Sequence, residues 1–297
     1  LVGTGSPMYG VGSIADGAGG ATTLGTSRGL AVAGDYAYVT GLSDDGLQII
    51  DISDPTNPVG VGAITDGTNG ATELDGANGV VVSGNYAYVA AALDNGVQII
   101  DISDPTNPRG VGAITDDTNG ATALDSARNV VVSGSYAYVT SLGNEGVQIL
   151  DISDPTNPRG VGAIIDGTNL FDVTDIVVVG NYAYTASYGS GMQIIDISDP
   201  TNPILVGIIS DGVNGAAALD GAFAIKVAGN YAYVATAYDD GLQIIDISDP
   251  TAPVGLGEIT DGTNGASTLD GATNLFVVDN YVFVVGNSDN GIQIIDV

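Results

Sequence analysis

The sequence predicts an all-β fold: a six-bladed β-propeller with four antiparallel strands in each blade. The first observation is a repeat, in which the segment at residues 96–108 (GVQIIDISDPTNP) recurs nearly unchanged along the chain. The aspartate after its Gln-Ile-Ile or Gln-Ile-Leu marks the ends of six units at intervals of 50, 50, 45, 50 and 50 residues: Asp51, Asp101, Asp151, Asp196, Asp246 and Asp296. The second is that each unit holds four short runs rich in Val, Ile and Tyr. About 50 residues and four strands per unit are typical of a propeller blade.

The second unit shows the strands in order. Its apolar runs cover residues 79–83, 86–90, 97–102 and 111–114. Gly84-Asn85 joins the first two, and glycine before Asn, Asp or Ser predicts a tight hairpin because the turn needs a positive φ. The sixth unit departs from this with Asp279-Asn280. Ten of the eleven prolines lie in the Asp-Pro linkers between third and fourth strands, which marks those linkers as outside the sheet.

The two ends of the sequence predict how the ring closes. Residues 9–14 have the pattern of a fourth strand, whereas residues 292–297 have that of a third strand. Pairing the two would complete the last blade, so we expect one closed domain over residues 1–297. Removal of the first 15 residues should then strongly destabilise the ring.

The QIIDISDP strand and the GNYAYV hairpin resemble the LVIVD-repeat family of β-propeller proteins. The resemblance extends through all six units and is specific for the fold. It implies a bacterial or archaeal propeller, often at the cell surface. It supplies no shared catalytic residues, because the repeated motif belongs to the framework.

Composition excludes several classes of function. The chain has no Cys and no His, which excludes Ser-His-Asp and Cys-His catalysis and zinc sites with those ligands. Thirty-five acidic residues face five basic ones, for a net charge of −30, so no basic patch can form for nucleic acid or an anionic membrane surface. No apolar stretch is long enough for membrane insertion. Such an acidic surface fits salt-rich water or a calcium-containing exterior, and we expect an extracellular or cell-surface location.

Acidic loops between fourth and first strands are candidate Ca²⁺ sites. Asp, Asn and backbone carbonyls around glycines supply the oxygen ligands and sharp bends that calcium needs, although the spacing is not that of an EF-hand. The alternative is that these side chains only cap turns in a solvated loop. The candidate ligands are Asp16, Asp66, Asn69, Asp75, Asp116, Asn119, Asp125, Asp166, Asn169, Asp211, Asn214, Asp220, Asp261, Asn264 and Asp270.

The entrance to the central channel is the second candidate site, because chemically different residues lead there into nearly identical first strands. They are Arg28, Asn78, Arg128, Asn129, Thr174, Asp175, Phe223, Thr273 and Asn274. Arg28 and Arg128 could hold an anionic group between them, or they could pair with loop aspartates. Lys226 in a first strand predicts an ion pair with a nearby aspartate, or alternatively a functional amine. The fourth unit is five residues shorter, which predicts a notch in the rim near Phe171; the notch is a candidate ligand or partner site, or else simple deletion drift in a surface loop.

Two functions remain open at this stage. The first is a non-enzymatic propeller that serves binding or structural assembly, with calcium in its acidic loops and other surface proteins or copies of itself as partners. The alternative is a calcium-dependent, lactonase-like hydrolase at the channel mouth. Near-identical repeats favour the first, because an active site needs one asymmetric set of ligands.

Overall fold

A computed structural model describes residues 11–297 and consists of six antiparallel sheets arranged as propeller blades. Pairing follows chain order within each blade, as predicted. The first strands are β1 (Ser27–Ala33), β5 (Ala77–Ser83), β9 (Ala127–Ser133), β13 (Val173–Val179), β17 (Ala222–Ala228) and β21 (Ala272–Val278). The second strands are β2 (Tyr36–Gly41), β6 (Tyr86–Ala91), β10 (Tyr136–Ser141), β14 (Tyr182–Ser187), β18 (Tyr231–Thr236) and β22 (Tyr281–Gly286).

The outer half of each blade carries the repeated motif. The third strands are β3 (Gly46–Asp51), β7 (Gly96–Asp101), β11 (Gly146–Asp151), β15 (Gly191–Asp196), β19 (Gly241–Asp246) and β23 (Gly291–Asp296). The fourth strands are β4 (Val59–Thr65), β8 (Arg109–Thr115), β12 (Arg159–Ile165), β16 (Ile204–Ile209) and β20 (Val254–Thr260). Among residues 11–297 there is no helix long and apolar enough to cross a membrane.

The core lies between the blades. Five clusters of buried residues each join two consecutive blades, so the apolar face of one sheet is covered by the next. Between blades one and two, for example, Leu47 and Ile49 pack with Val80 and Val89. Consecutive first strands also contact one another from β1 through to β21 and surround the central channel.

The buried glutamine of the motif ties each blade to the loop that precedes it. Gln48 accepts hydrogen bonds from the backbone N–H groups of Thr22 and Thr23 and donates to the carbonyl of Gly62. The same pattern recurs at Gln98, Gln148 and Gln243. Because a buried amide without partners would be costly, these hydrogen bonds satisfy the side chain and fix the loop at the same time.

The hairpins between first and second strands are formed as predicted. The glycines at their first position have φ of 58–60°, in the left-handed region. Asp279 takes φ 50° at the same place in the sixth blade, so the departure in sequence preserves the turn with a residue that tolerates this conformation less well.

The closing strand remains a prediction. Residues 9 and 10 lie outside the described part of the chain, and residues 11–14 are not in a strand. Within residues 11–297 the sixth sheet has three strands, and the outer edge of β23 has no partner. Gly12 approaches the Pro55 carbonyl as Gly62 approaches that of Pro105, too closely in both cases for a Cβ. Residues 11–14 therefore lie beside the linker of the first blade, at the place that the fourth strand of the sixth blade would occupy.

The register of the repeat specifies the missing pairing. Ile64 pairs with Leu47 in the first blade, and by the repeat spacing Ile14 would pair with Ile292. Ile292 is 60% exposed, whereas Leu47 is fully buried. A groove of about 520 Å³ between β20 and β23 also marks where a further strand would fit.

Candidate functional site

A β-bulge opens each first strand at the channel mouth. In all six blades the register between first and second strands shifts within the first few residues, as between Ser27 and Leu30 or between Val173 and Asp175. A bulge breaks the regular alternation of side chains and redirects them. The variable residues predicted for the mouth lie at these bulges, which explains how a uniform framework presents different side chains there.

All nine predicted mouth residues line one cavity of about 600 Å³. Lys226 lines it as well, so three of the five basic residues of the chain lie around this opening. The cavity continues toward the junction of the sixth and first blades, where Leu30 and Phe276 form an apolar part of its wall. The candidate site therefore combines a charged mouth with an apolar side.

Asp175 joins three blades at the mouth and is almost completely buried. One carboxylate oxygen accepts hydrogen bonds from the Asn129 side chain at 2.6 Å and from the Ile176 N–H at 2.9 Å. The other accepts from the Ile225 N–H at 2.9 Å and lies 3.4 Å from Lys226 Nζ. This confirms the predicted ion pair of Lys226, and both oxygens are occupied by neighbours in the protein.

The two arginines of the mouth have no such partner. In the described part of the chain the Lys226–Asp175 contact is the only ion pair, so the predicted alternative of arginines paired with loop aspartates is not found. Burial lowers the pKa of Arg128, and the nearby positive charge of Arg28 lowers it further, whereas the carboxylates of Asp172 and Asp175 partly oppose this shift without forming an ion pair. The Arg128 guanidinium also lies 5.1 Å from the centre of the Phe223 ring, a cation–π contact.

A cluster of aromatic side chains beside the mouth was not predicted from the sequence. Tyr188 and Tyr238, in the loops between second and third strands of blades four and five, have ring centres 4.7 Å apart. Tyr188 also packs edge-on against Phe223 at 6.2 Å. Hydrogen bonding to Tyr238, burial, and the carboxylates of Asp220 and Asp172 raise the pKa of Tyr188 to about 12. The available signal was that these are the only described tyrosines outside the repeated hairpins.

The shortened fourth blade lies beside this group. Its loop between fourth and first strands has seven residues, 166–172, instead of the eleven of 66–76, and its loop between second and third strands has three, 188–190, instead of four. Phe171 lies against Gly189, and its side chain is half-exposed. The five missing residues are thus divided between two loops on the face of the channel mouth.

The predicted calcium ligands lie in equivalent loops, and many of them have structural partners. In five blades the first aspartate accepts a hydrogen bond from the N–H of a leucine eight residues later: Asp16, Asp66, Asp116, Asp211 and Asp261. Asn69 and Asn119 donate to the carbonyls of Pro108 and Pro158 in the next linker. Asn214 and Asn264 take the same positive φ as these two. In the short fourth loop, Asn169 instead donates to Asp166.

In four of the loops the last aspartate donates a hydrogen bond from its backbone N–H. The N–H groups of Asp75, Asp125, Asp220 and Asp270 donate to a side-chain oxygen of the following loop. Burial and the nearby carboxylates of Asp45, Asp94 and Asp66 raise the pKa of Asp75. No three acidic side chains of residues 11–297 are arranged to hold a metal ion. Any calcium here would have to use Asn and backbone carbonyl oxygens as well.

Solved structures with similar folds come from proteins of different kinds. A candidate 6-phosphogluconolactonase from Bacteroides uniformis is 17% identical, with a TM-score of 0.70 over 90% of this chain and 80% of its own. A protein from Lactobacillus plantarum is 16% identical, with a TM-score of 0.71 over 91% and 84%. The periplasmic gluconolactonase of Pseudomonas aeruginosa is 13% identical, with a TM-score of 0.62 over 80% and 71%. At these identities the likeness concerns the fold alone.

No functionally curated protein matches the sequence significantly. The model of the LVIVD repeat matches five segments, at residues 24–66, 76–116, 125–165, 172–211 and 221–261. These segments cover most of the chain and coincide with the first five blades. The chain therefore belongs to the LVIVD-repeat family of proteins.

Proposed function

We propose that this protein is a non-enzymatic binding module whose site is the channel mouth and whose ligand carries one anionic group. The observation that supports this is the pair Arg28 and Arg128, which have no carboxylate partner among the described residues of a very acidic chain. Where carboxylates are abundant, two nearby cations without one are available for an external anion.

The overall charge limits the kind of anion. A net charge of −30 repels polyanions at long range, whereas a small ligand with one negative group can reach a local pair of cations. The same argument disfavours nucleic acids and anionic membrane surfaces as partners. We place the protein outside the cell or at its surface, where such a charge is compatible with abundant cations.

The test is a titration of the protein with acetate or sulfate at low ionic strength, monitored by ¹H–¹⁵N NMR. We expect saturable shifts at residues of the mouth, and Arg128→Gln should raise Kd about tenfold, or ~1.4 kcal/mol. Arg109 and Arg159 provide matched controls, since both are exposed at the starts of fourth strands and their Gln variants change the net charge equally. Equal weakening by Arg109→Gln would show that only net charge matters and would contradict the proposal.

Calcium binding in the acidic loops is part of the same proposal. Calorimetry of chelator-treated protein with Ca²⁺ should reveal several sites, and the melting temperature should rise with the metal. Calcium could also join acidic faces of separate copies, or of this protein and other surface proteins, into an assembly that a chelator dissolves. If calcium changes neither heat nor melting, the loops act only as hydrogen-bonded turns.

A calcium-dependent, lactonase-like hydrolase remains the second candidate, because two of the folds compared above bear lactonase names. Against it, Asp175, the one carboxylate that lines the mouth in the described part of the chain, has both oxygens occupied. Incubation with glucono-δ-lactone and Ca²⁺ distinguishes the two functions. Hydrolysis above background that is lost in Arg128→Gln would support the enzyme and overturn the binding-only proposal.

A further inference from the structure

An aromatic wall continues the channel mouth on one side. It consists of Phe223, Tyr188 and Tyr238, and each ring contacts the next at centre distances of 6.2 and 4.7 Å. Arg128 lies over Phe223 at the inner end. The outer end, Tyr238, is 61% exposed. The wall therefore runs from a cation at the cavity to an open aromatic surface at the rim.

The framework does not account for this wall. At the position of Tyr238 the second blade has Leu93, and the repeated hairpins, which hold the other described tyrosines, pack between blades or at the opposite face. An exposed aromatic ring that stabilises no core is a common feature of binding surfaces, because it offers much contact area at little entropic cost. Its place beside two unpaired arginines connects it to the same site.

Carboxylates flank the wall. Asp172 and Asp220 lie close enough to Tyr188 to influence its phenol, and in the described residues neither forms an ion pair. Carboxylate oxygens accept hydrogen bonds from hydroxyl groups. They are not attracted to the face of an aromatic ligand, because that face also carries partial negative charge. This side of the mouth thus brings together a cation, aromatic rings that attract polarised C–H groups, and carboxylates that accept hydrogen bonds from hydroxyls, with Asp172 near both Arg128 and Tyr188.

We propose that this side of the mouth binds a sugar acid, with its carboxylate at Arg128, its ring against Tyr238 and Tyr188, and its hydroxyls near Asp172 and Asp220. The inference rests on the proposed function and specifies its ligand class. A neutral sugar would leave the arginines unpaired, and an anion without a ring would leave the wall uncovered. A long polyuronate is disfavoured by the net charge of the protein.

The experiment compares methyl glucuronide with methyl glucoside and acetate, by NMR titration of the whole chain. We expect methyl glucuronide to bind at least about tenfold more tightly than either of the others, because it uses both halves of the site. Tyr238→Ala should weaken glucuronide binding about tenfold and leave acetate unchanged. Tyr238→Phe should retain the affinity, since the ring remains.

Leu93→Ala is the matched control, because it truncates the equivalent loop residue of the second blade, and it should change nothing. Melting curves of each variant confirm that the fold is intact. If acetate and glucuronide bind equally and Tyr238→Ala has no effect, the sugar-acid inference fails while the anion site stands. If no anion binds and Arg128→Gln is silent, both fail.

Discussion

Replacement of Asp175 by Asn tests the mouth most directly, because it separates stability from binding. The Asn side chain can still accept a hydrogen bond from the Ile176 N–H, as Asn129 and Asn274 do for the residues that follow them. Its amide group, however, would face the Ile225 N–H and Lys226, both of which are donors. One buried donor therefore loses its acceptor.

The magnitude follows from those contacts. An unsatisfied buried N–H costs about 1–3 kcal/mol. Loss of the Lys226 pair adds at most ~1 kcal/mol, because that lysine side chain is 38% exposed and its charge remains solvated. We expect the free energy of unfolding to fall by about 2–3 kcal/mol, and the melting temperature by roughly 3–5 °C.

The same change should strengthen anion binding. Among residues 11–297, Asp175 is the only carboxylate that lines the mouth cavity, and its negative charge, like that of Asp172, acts on Arg128. Removing it relieves a repulsion of the order of 1 kcal/mol for a bound anion, so Kd for acetate should fall about fivefold. Urea unfolding and the NMR titration measure the two effects on one sample.

Asp270→Asn is the control, since it removes the same charge from an exposed position on the same face. It should alter the free energy of unfolding by less than about 0.5 kcal/mol. If the two variants are equally stable and bind acetate equally, Asp175 neither joins the blades energetically nor shapes the field of the mouth, and the reasoning is refuted.

Three further predictions concern the framework. Asp279→Gly should stabilise the protein by about 0.5–1 kcal/mol in urea unfolding, because glycine accepts the positive φ, and Gly229→Asp should have the opposite effect. The double variant Ile14→Cys/Ile292→Cys should, after oxidation, form a disulfide within one chain and have a higher melting temperature if residues 9–14 close the ring. A non-reducing gel that shows intermolecular dimers and no such internal disulfide would contradict closure. The raised pKa of Asp75 means that the folded chain binds this proton more readily than the unfolded chain does, so the contribution of Asp75 to stability should increase as pH falls toward the ordinary carboxyl pKa of about 4. Asp75→Asn should reduce that increase in calorimetric scans.

The parts of the molecule that could be predicted are those fixed by the period of the sequence. The hairpin glycines, the proline linkers and the order of strands each follow from one residue type at a repeated position. The mouth was also predictable, because a variable residue at a constant place in the repeat must lie at a constant place in the ring. The side chains at this place converge on the channel because the blades form a ring. Predicting the mouth therefore did not require knowledge of any individual contact.

The remaining features depend on contacts between units that the period does not encode. Tyr188 and Tyr238 lie one repeat period apart in the same kind of loop of consecutive blades, but these loops differ in length, so the period places both on one face without showing that their rings meet. The partner of Lys226 was predicted only as an aspartate, and Asp175 lies 51 residues earlier, in the preceding blade. The buried glutamine of the motif looked like part of the strand, and only its hydrogen bonds reveal that it holds the loop.

The places where the blades depart from the repeat support a site on one side of the channel mouth. Symmetric positions carry the stability of the ring, because each buried cluster repeats between consecutive blades. Most of the asymmetric features, by contrast, lie around blades three to five: Arg128 on Phe223, the Asp175–Lys226 pair, the two tyrosines, and both shortened loops, whereas Arg28 belongs to blade one. Random drift in surface loops would scatter such changes around the ring. Their convergence on one side of one opening, with a cation, aromatic rings and carboxylates close to one another, is the arrangement that a single asymmetric ligand requires.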